Sequence, residues 1–340
     1  MRTHQLFRLM MLMATSLLFV HCTSEYTPIP GEDGVDGIDG VDGTASCIAC
    51  HSNSVREPIL ASYELSQHGI QTTMFTGQPL SEYTNDVGSF CVKCHTNEGY
   101  LEFQETGGVM ASSATPTRID CHTCHDVHES FDFENDGLDY ALKNDDPVIL
   151  DLGGTTLDLG DASNNCISCH QPRNSYAIPM GSGTYEITSK RFGPHHGPQS
   201  TILEGILGAE IAGSIAYPAA GSATHRTDAS CVSCHMGESE DISRGLHSWV
   251  PTESACLTCH TNGAPTEASG FTDDMETLRA LLEANNMFDE DGYYNEGTYS
   301  VDLAQAAWNY RTLLEDKSKG IHNPDYTKAL IRNSIEALQD

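Results

Sequence analysis

A five-residue motif, Cys-x-x-Cys-His, recurs six times in this chain and constrains its fold more than any hydrophobic pattern. The copies read CIACH, CVKCH, CHTCH, CISCH, CVSCH and CLTCH, numbered here one to six in chain order. Their cysteines are Cys47, Cys50, Cys91, Cys94, Cys121, Cys124, Cys166, Cys169, Cys231, Cys234, Cys256 and Cys259, and their histidines are His51, His95, His125, His170, His235 and His260. The fold must therefore be built around whatever the motifs bind.

Repeated Cys-x-x-Cys-His runs are typical of covalent c-type haem attachment. Two thiols three positions apart can each bond one porphyrin, and the histidine that follows can bind its iron as proximal ligand. Zinc sites also use Cys-x-x-Cys pairs, but they combine two by two and need no histidine after each pair. Thioredoxin-like redox pairs occur singly, within an α/β pattern that is absent here. The motifs therefore predict six covalently bound haem c groups.

A six-coordinate haem iron needs a second axial ligand, and histidine is present in a matching number. Apart from those in the first 21 residues and the six that end the motifs, the chain carries eight histidines. Six are predicted to be distal ligands: His68, His128, His195, His225, His247 and His322. His122 and His196 are alternates. Because His195 and His196 are adjacent, only one of them should point at a given iron, and His195 is favoured.

The stretch CHTCHDVH, from Cys121 to His128, carries three histidines with different predicted roles. His125 ends the motif and is the proximal ligand. His128 follows too closely to reach the other face of the same haem, so it should serve a neighbouring one. His122 lies between two attached cysteines and should point away from that haem. Further along, His225 and His247 precede the fifth and sixth motifs at spacings that suit a loop over a haem plane.

The amino-terminal segment predicts export and a lipid anchor. Arg2 and Arg8 supply positive charge, and the apolar run from Leu9 to Val20 has signal-peptide length, too short to span a bilayer. Residues 1–21 then form a lipoprotein signal peptide, and Cys22 is the acylated cysteine that anchors the chain to a membrane. The alternative is an ordinary secretory signal, since His21 stands where a small residue is usual.

A tether over residues 22–46 comes after the signal peptide. From Pro28 to Gly43, glycine recurs every third residue among aspartates. The period is collagen-like, but without the neighbouring prolines an acidic flexible tether is favoured. The expected location is thus a membrane surface facing the periplasm or the cell exterior of a Gram-negative bacterium.

Charge and composition limit the partners and the interior. The formal net charge of −31 argues against nucleic acid and favours redox partners, such as other cytochromes, with a basic docking face. Only 7% of residues are aromatic, so the porphyrins are expected to supply the interior of the 47–270 region. The segment Asp132–Gly137 resembles part of a calcium loop, but Lys143 replaces the glutamate such a loop needs at its twelfth position.

Residues 271–340 change character and are predicted to be a helical segment. Leucines at helical spacing predict a helix over Asp273–Asn285, and a second apolar face predicts one over Val301–Lys317. Asn323 and Pro324 are a good N-cap and first residue for a last helix, which places His322 at a helix start. With only short strands elsewhere, such as Val148–Asp151 with Thr155–Leu159, the fold class is mainly α with long irregular loops.

The chain resembles a multihaem c-type cytochrome, and three fragments resemble the pentahaem nitrite reductase and octahaem hydroxylamine oxidoreductase group. These are CHTCHDVH, RFGPHHGPQ at 191–199 and GIHNPDY at 320–326. The resemblance implies that His128 and His322 are distal ligands. It implies no active site, because the nitrite reductases bind substrate at a haem whose motif ends in lysine, and all six motifs here end in histidine.

The expected function is single-electron transfer along six bis-histidine haems. The alternative is an oxidoreductase that reduces a small nitrogen or sulfur oxyanion, which needs one iron with an open position. One route to such a position would be His68 failing to ligate the first or second haem. A third interpretation, a structural surface lipoprotein, leaves the redox capacity of six haems unused.

Replacement of Cys22 tests the anchor. The Cys22→Ser variant should move from the membrane fraction to the soluble fraction, because serine cannot be acylated as the lipoprotein cysteine is. Immunoblots of the two fractions measure this, and a Ser24→Ala variant controls for changes near the cleavage site. Full membrane retention of Cys22→Ser would contradict the anchor.

Overall fold

In the computed structural model of the chain, placement is described for residues 45–69, 89–109, 117–135 and 139–339. The chain divides into two units between Cys50 and His51. Of the first unit only residues 45–50 are described, and every element that begins at Asn53 or later belongs to the second unit. The predicted signal peptide, Cys22 and the tether up to residue 44 lie outside the described residues.

Short helices separated by long loops make up the motif region. They are α1 (Ala45–His51), α2 (Asn53–Leu65), α3 (Ser89–His95), α4 (Asn97–Thr106), α5 (Cys121–Cys124), α6 (Asn164–Ile167), α7 (Gln199–Glu204), α8 (Thr224–Thr227), α9 (Cys231–His235) and α10 (Glu253–Leu257), with a 3₁₀ turn at Leu246–Ser248. The fold is thus mainly helical with irregular connections, as the sequence predicted.

Three longer helices form the carboxyl-terminal segment: α11 (Phe271–Ala284), α12 (Val301–Asp316) and α13 (Pro324–Gln339). Their bounds confirm the three predicted helices to within two residues. The caps explain the agreement. Ser300 Oγ accepts from Leu303 N at 3.3 Å, and Asn323 Oδ1 accepts from Tyr326 N at 3.1 Å, so the starts of α12 and α13 each satisfy a free backbone donor locally. Helix α11 begins after Gly270, which supplies no side-chain cap.

Two small antiparallel sheets complete the secondary structure. Strand β1 (Val148–Ile149) pairs with β2 (Thr156–Leu157), within the predicted hairpin. Strand β3 (Thr184–Ile187) pairs with β4 (Gly297–Ser300), which leads directly into α12. The second pairing ties the loop after the fourth motif to the helical segment.

The side-chain amides of two buried asparagines hydrogen-bond to backbone groups in the stretch 207–215 and attach that stretch to the helices. Asn309 Oδ1 accepts from Ala209 N at 2.7 Å, and Asn309 Nδ2 donates to Ala209 O at 2.8 Å. Asn333 in α13 donates to Ile211 O and Ile215 O and accepts from Ile215 N. Both asparagines are fully buried, so these bonds satisfy polar groups that water does not reach.

The carboxyl-terminal half has an ordinary protein core. Trp308, Leu278, Tyr326 and Phe192 are buried within it, and the core joins α11, α12 and α13 to the chain between 152 and 211. The expectation that porphyrins alone supply the interior is therefore wrong for this half, because its helices bury their apolar faces against one another and against loops. Among the described residues no helix is long and apolar enough to cross a membrane.

Adjacent leucines in α12 give a matched test of this core. Leu313 is 1% exposed and Leu314 is 44% exposed. Leu313→Ala should lower the free energy of unfolding by about 2–5 kcal/mol, because it opens a cavity in the core. Leu314→Ala should change it by less than about 0.5 kcal/mol. Guanidinium titration followed by circular dichroism measures both, and equal losses would contradict the described core.

Candidate haem sites

Each candidate site starts from a single helical turn formed by the motif. His125 N, His170 N and His260 N each donate to the carbonyl of the first cysteine of their own motif, at 2.9 Å in all three cases. In such a turn, residues i, i+3 and i+4 share one face. The two sulfurs and the histidine therefore face the same side, as attachment of one ligand requires.

Capping side chains fix where several of these turns begin. Asp120 Oδ1 accepts from His122 N at 2.8 Å and from Thr123 N at 3.2 Å, just before Cys121. Ser230 and Ser233 form a capping box around the fifth motif. Short turns of this kind are unstable alone, so caps help to define them before any ligand binds.

Motif histidines face histidines from distant parts of the chain at one common spacing. Five such pairs have ring centroids 6.0–6.2 Å apart: His51 with His128, His68 with His170, His125 with His247, His225 with His260, and His235 with His322. A metal–imidazole bond is about 2 Å long and the nitrogen lies about 1 Å from its ring centre, so two rings sharing one metal have centroids about 6 Å apart. The gaps thus fit one iron each.

Three of the distal histidines face motifs other than their nearest ones along the chain. His68 faces His170 of the fourth motif rather than the first or second site. His225 faces the sixth motif, and His247 faces the third. Neither of the two therefore faces the motif that follows it in the chain. His128 faces His51, in agreement with a role for a neighbouring motif, and His122 is exposed to solvent.

The second motif brings His95 close to the adjacent His195 and His196. Burial, and then the nearby His196, lowers the pKa of His95 to about 4. The centroids of His195 and His196 are only 3.9 Å apart, too close to share a metal between them. His196 Nδ1 lies 2.8 Å from Glu315 Oε2, a partner of the kind that orients a metal-binding imidazole. The sequence favoured His195, whereas this hydrogen bond favours His196.

Several candidate ligands use Nδ1 for a hydrogen bond, which directs Nε2 at the gap. His125 Nδ1 donates to Tyr140 O at 2.9 Å, and His235 Nδ1 donates to Trp249 O at 2.8 Å. His322 Nδ1 donates to Asp316 Oδ1 at 2.6 Å. Partners of this kind fix the tautomer and orientation of a metal-binding imidazole.

Burial favours the neutral imidazole, which is the form that binds a metal, at two of the distal candidates. Burial, followed by the nearby His170, lowers the pKa of His68 to about 4. Burial and then His125 do the same for His247. For His322, burial lowers the pKa, but the Asp316 carboxylate outweighs it and the pKa is raised.

Two residues with strained backbone conformations lie in the loop that carries His247. Leu246 has φ 46° and Trp249 has φ 53°, a left-handed conformation that bulky residues rarely adopt. The Trp249 ring contacts His68 at a centroid distance of 4.5 Å and His247 at 5.4 Å. The carbonyl of Trp249 also accepts a hydrogen bond from His235, so Trp249 contacts residues of three candidate sites. The sequence did not predict this role.

The motifs also touch one another. The side chains of Cys94 and Cys169 lie close together, as do those of Cys166 and Cys231. Cys124 lies close to Asn165, beside the fourth motif. Helices α9 and α10, which carry cysteines of the fifth and sixth motifs, are in contact as well. The fourth motif is thus surrounded by the second, third and fifth.

The surroundings of the pairs suit a large apolar ligand. Val127 and Phe131 are 75% and 74% exposed beside the His51–His128 pair, and a porphyrin there would cover apolar surface. Within the described ranges no group of three or more His, Cys, Asp or Glu is arranged around a single metal ion. In the predicted calcium segment, Asn135 donates to the Asp132 carboxylate. The paired histidines and the apolar surface beside them therefore fit haem c.

Comparison with known proteins gives distant polyhaem relatives. The chain is 23% identical to the C-type polyheme cytochrome OmcC of Geobacter sulfurreducens, over 87% of this chain and 43% of OmcC. It is 22% identical to OmcB of the same organism, over 74% of this chain and 44% of OmcB. The chain thus spans less than half of these relatives. No protein-family model matches it.

Its fold is similar to that in the crystal structure of the outer cell wall cytochrome OcwA, with a TM-score of 0.50 and 17% identity. That likeness covers 82% of this chain and 50% of OcwA. The fold and the relatives support the class of multihaem c-type cytochromes, with covalently bound haem c. The finer resemblance to nitrite reductases and hydroxylamine oxidoreductases is not among these likenesses and stays a prediction.

Removal of one opposed histidine tests the pairing. His247→Ala should leave the haem content unchanged and convert one iron from low-spin to high-spin, because the third motif's iron loses its second imidazole. Electron paramagnetic resonance of the oxidised protein measures this. The exposed His122→Ala is the control and should stay entirely low-spin. The pairing is contradicted if His247→Ala stays low-spin or if His122→Ala produces the same high-spin iron.

Proposed function

We propose that this chain is an exported six-haem c-type cytochrome that transfers single electrons, with each iron held between two imidazoles. The observation that carries the proposal is the common 6.0–6.2 Å spacing of the histidine pairs, each with one motif member. For the second motif, His95 with His196 is the proposed sixth pair, supported by the nearby position of His196 and by its hydrogen bond with Glu315.

Bound haem supplies reversible one-electron oxidation and reduction of iron. The chain's own residues do the remaining work. The motif turns fix each proximal histidine, the long loops bring up the distal one, and the distal imidazoles would occupy the positions where a substrate would bind. With both axial positions filled, no iron is left open for bond-making chemistry, so a carrier is favoured over an oxyanion reductase.

Contacts between motifs support a connected and branched arrangement rather than isolated sites. The fourth motif is the branch point, because Cys169 meets Cys94 of the second motif and Cys166 meets Cys231 of the fifth. The sixth motif continues from the fifth, and His128, which follows the third motif, faces His51 of the first. Electrons entering at the first or the sixth site can thus reach every other site through neighbours.

The expected setting is the cell surface, and the partners are other redox proteins. OcwA is an outer cell wall cytochrome, and OmcC and OmcB are polyheme cytochromes, which together support an outer-surface electron carrier. The net charge of −31 favours partners with a basic docking face, and Cys22 would hold the chain at a membrane through its lipid.

A reductive titration of the oxidised holoprotein tests this function. The protein should take up six electrons per chain, because six irons each accept one electron. All irons should be low-spin in the oxidised state and should bind neither carbon monoxide nor hydroxylamine, because imidazole fills both axial positions. Optical spectra and electron paramagnetic resonance record each property on one sample.

The competing enzyme function makes the opposite prediction for the same sample. One high-spin iron that binds nitrite or hydroxylamine, with multiple turnovers of the added compound, would overturn the carrier and support the reductase. An apo-like spectrum without haem would overturn both functions.

A further inference from the structure

Two adjacent carboxylates at the end of α12 hold histidines of two different candidate sites. Glu315 Oε2 accepts from His196 Nδ1 at 2.8 Å, and Asp316 Oδ1 accepts from His322 Nδ1 at 2.6 Å. The carboxylate side chains are 12% and 0% exposed. His196 belongs to the second site and His322, which faces His235, to the fifth.

The same end of the helix also reaches the fourth site, through a neutral group. Gln199 Nε2 donates to Glu315 O at 2.9 Å, while Gln199 Oε1 lies 3.3 Å from His170 Nδ1. One amide therefore links the helix end to the proximal histidine of the branch point. Residues 315–316 thus contact groups at three neighbouring sites and place full negative charge at two of them.

The carboxylates are held in place by the helical core rather than by the sites they serve. Ser318 Oγ donates to Asp316, and Arg311 donates to Glu315 Oε1 at 3.3 Å. Helix α12 itself is anchored in the core by Trp308 and Leu313. Their positions are therefore set by packing that requires no bound ligand.

Two other candidate ligands face neutral carbonyls, whereas His128 of the first site has its Nδ1 3.5 Å from Asp139 Oδ2. His125 donates to the carbonyl of Tyr140 and His235 to the carbonyl of Trp249. A carboxylate on the outer nitrogen makes an imidazole a stronger donor to its metal, and the negative charge acts strongly in a poorly solvated interior. Both effects stabilise the more positive, oxidised iron over the reduced iron.

We propose that Glu315 and Asp316 are positioning residues that lower the reduction potentials of the second and fifth haems relative to sites whose ligands face only neutral groups. The inference rests on the proposed function and goes beyond it, since it assigns a tuning role to the carboxyl-terminal helices. These helices would then set the order in which the neighbours of the fourth site fill with electrons.

Isosteric amides separate charge from geometry. Glu315→Gln and Asp316→Asn keep an oxygen that can accept the histidine hydrogen bond but remove the negative charge. In each variant, one haem should show an oxidised-to-reduced ratio about tenfold lower than in the wild type at a fixed applied potential, which equals about 59 mV for one electron. A potentiometric titration followed by electron paramagnetic resonance resolves which haem moves.

The two variants should shift different haems, and the control should shift none. The control is Asp302→Asn, which removes an exposed carboxylate from the first turn of the same helix. Unchanged potentials in both variants, or an equal shift in the control, would overturn the inference. If Asp316→Asn does not retain six haems, Glu315→Gln decides alone: a shifted haem supports the inference and an unshifted titration overturns it.

Haem content and spin state of the wild type separate this test from that of the proposed function. A wild-type protein with fewer than six haems, or with a high-spin iron, would overturn the proposed function. Six low-spin haems in the wild type together with unshifted variants would overturn only the role of Glu315 and Asp316.

Discussion

The gap between two facing imidazoles is the feature on which the rest of the structure depends. Each such gap joins a motif histidine to a histidine from another part of the chain, as in His68 with His170. Without a bound metal, such a pair is costly wherever its nitrogens are shielded from water; His247 Nδ1, for example, is shielded and has no hydrogen-bond partner. Binding of one iron per gap removes much of that cost and fixes the loops that carry the distal rings.

The carboxyl-terminal helices supply what the motif region lacks. Their apolar core and the asparagine clamps at Asn309 and Asn333 hold the chain at 207–215 without any ligand. From that base the end of α12 extends two carboxylates to His196 and His322. A protein-built core thus supports a region organised by its cofactors, and the contact between the two lies at the outer nitrogens of the ligands.

The sequence predicts well the features that short stretches of the chain determine. Each five-residue motif identifies its own two cysteines and its histidine. Leucine spacing, together with caps such as Asn323, locates the last helices. The number of spare histidines predicts two imidazoles per iron, but not which two. His247 meets the third motif rather than the sixth because loop paths, not spacing along the chain, decide the partner. Trp249, Glu315 and Asp316 carry no sequence signal of their own, since their roles depend on contacts across the fold.

The mass of the intact, purified holoprotein tests the central claim most directly. The account predicts the mass of the processed chain plus six covalently attached haems, retained after denaturation because thioether bonds survive unfolding. A denatured chain with no added tetrapyrrole, or a native protein that carries zinc in place of iron, would contradict it.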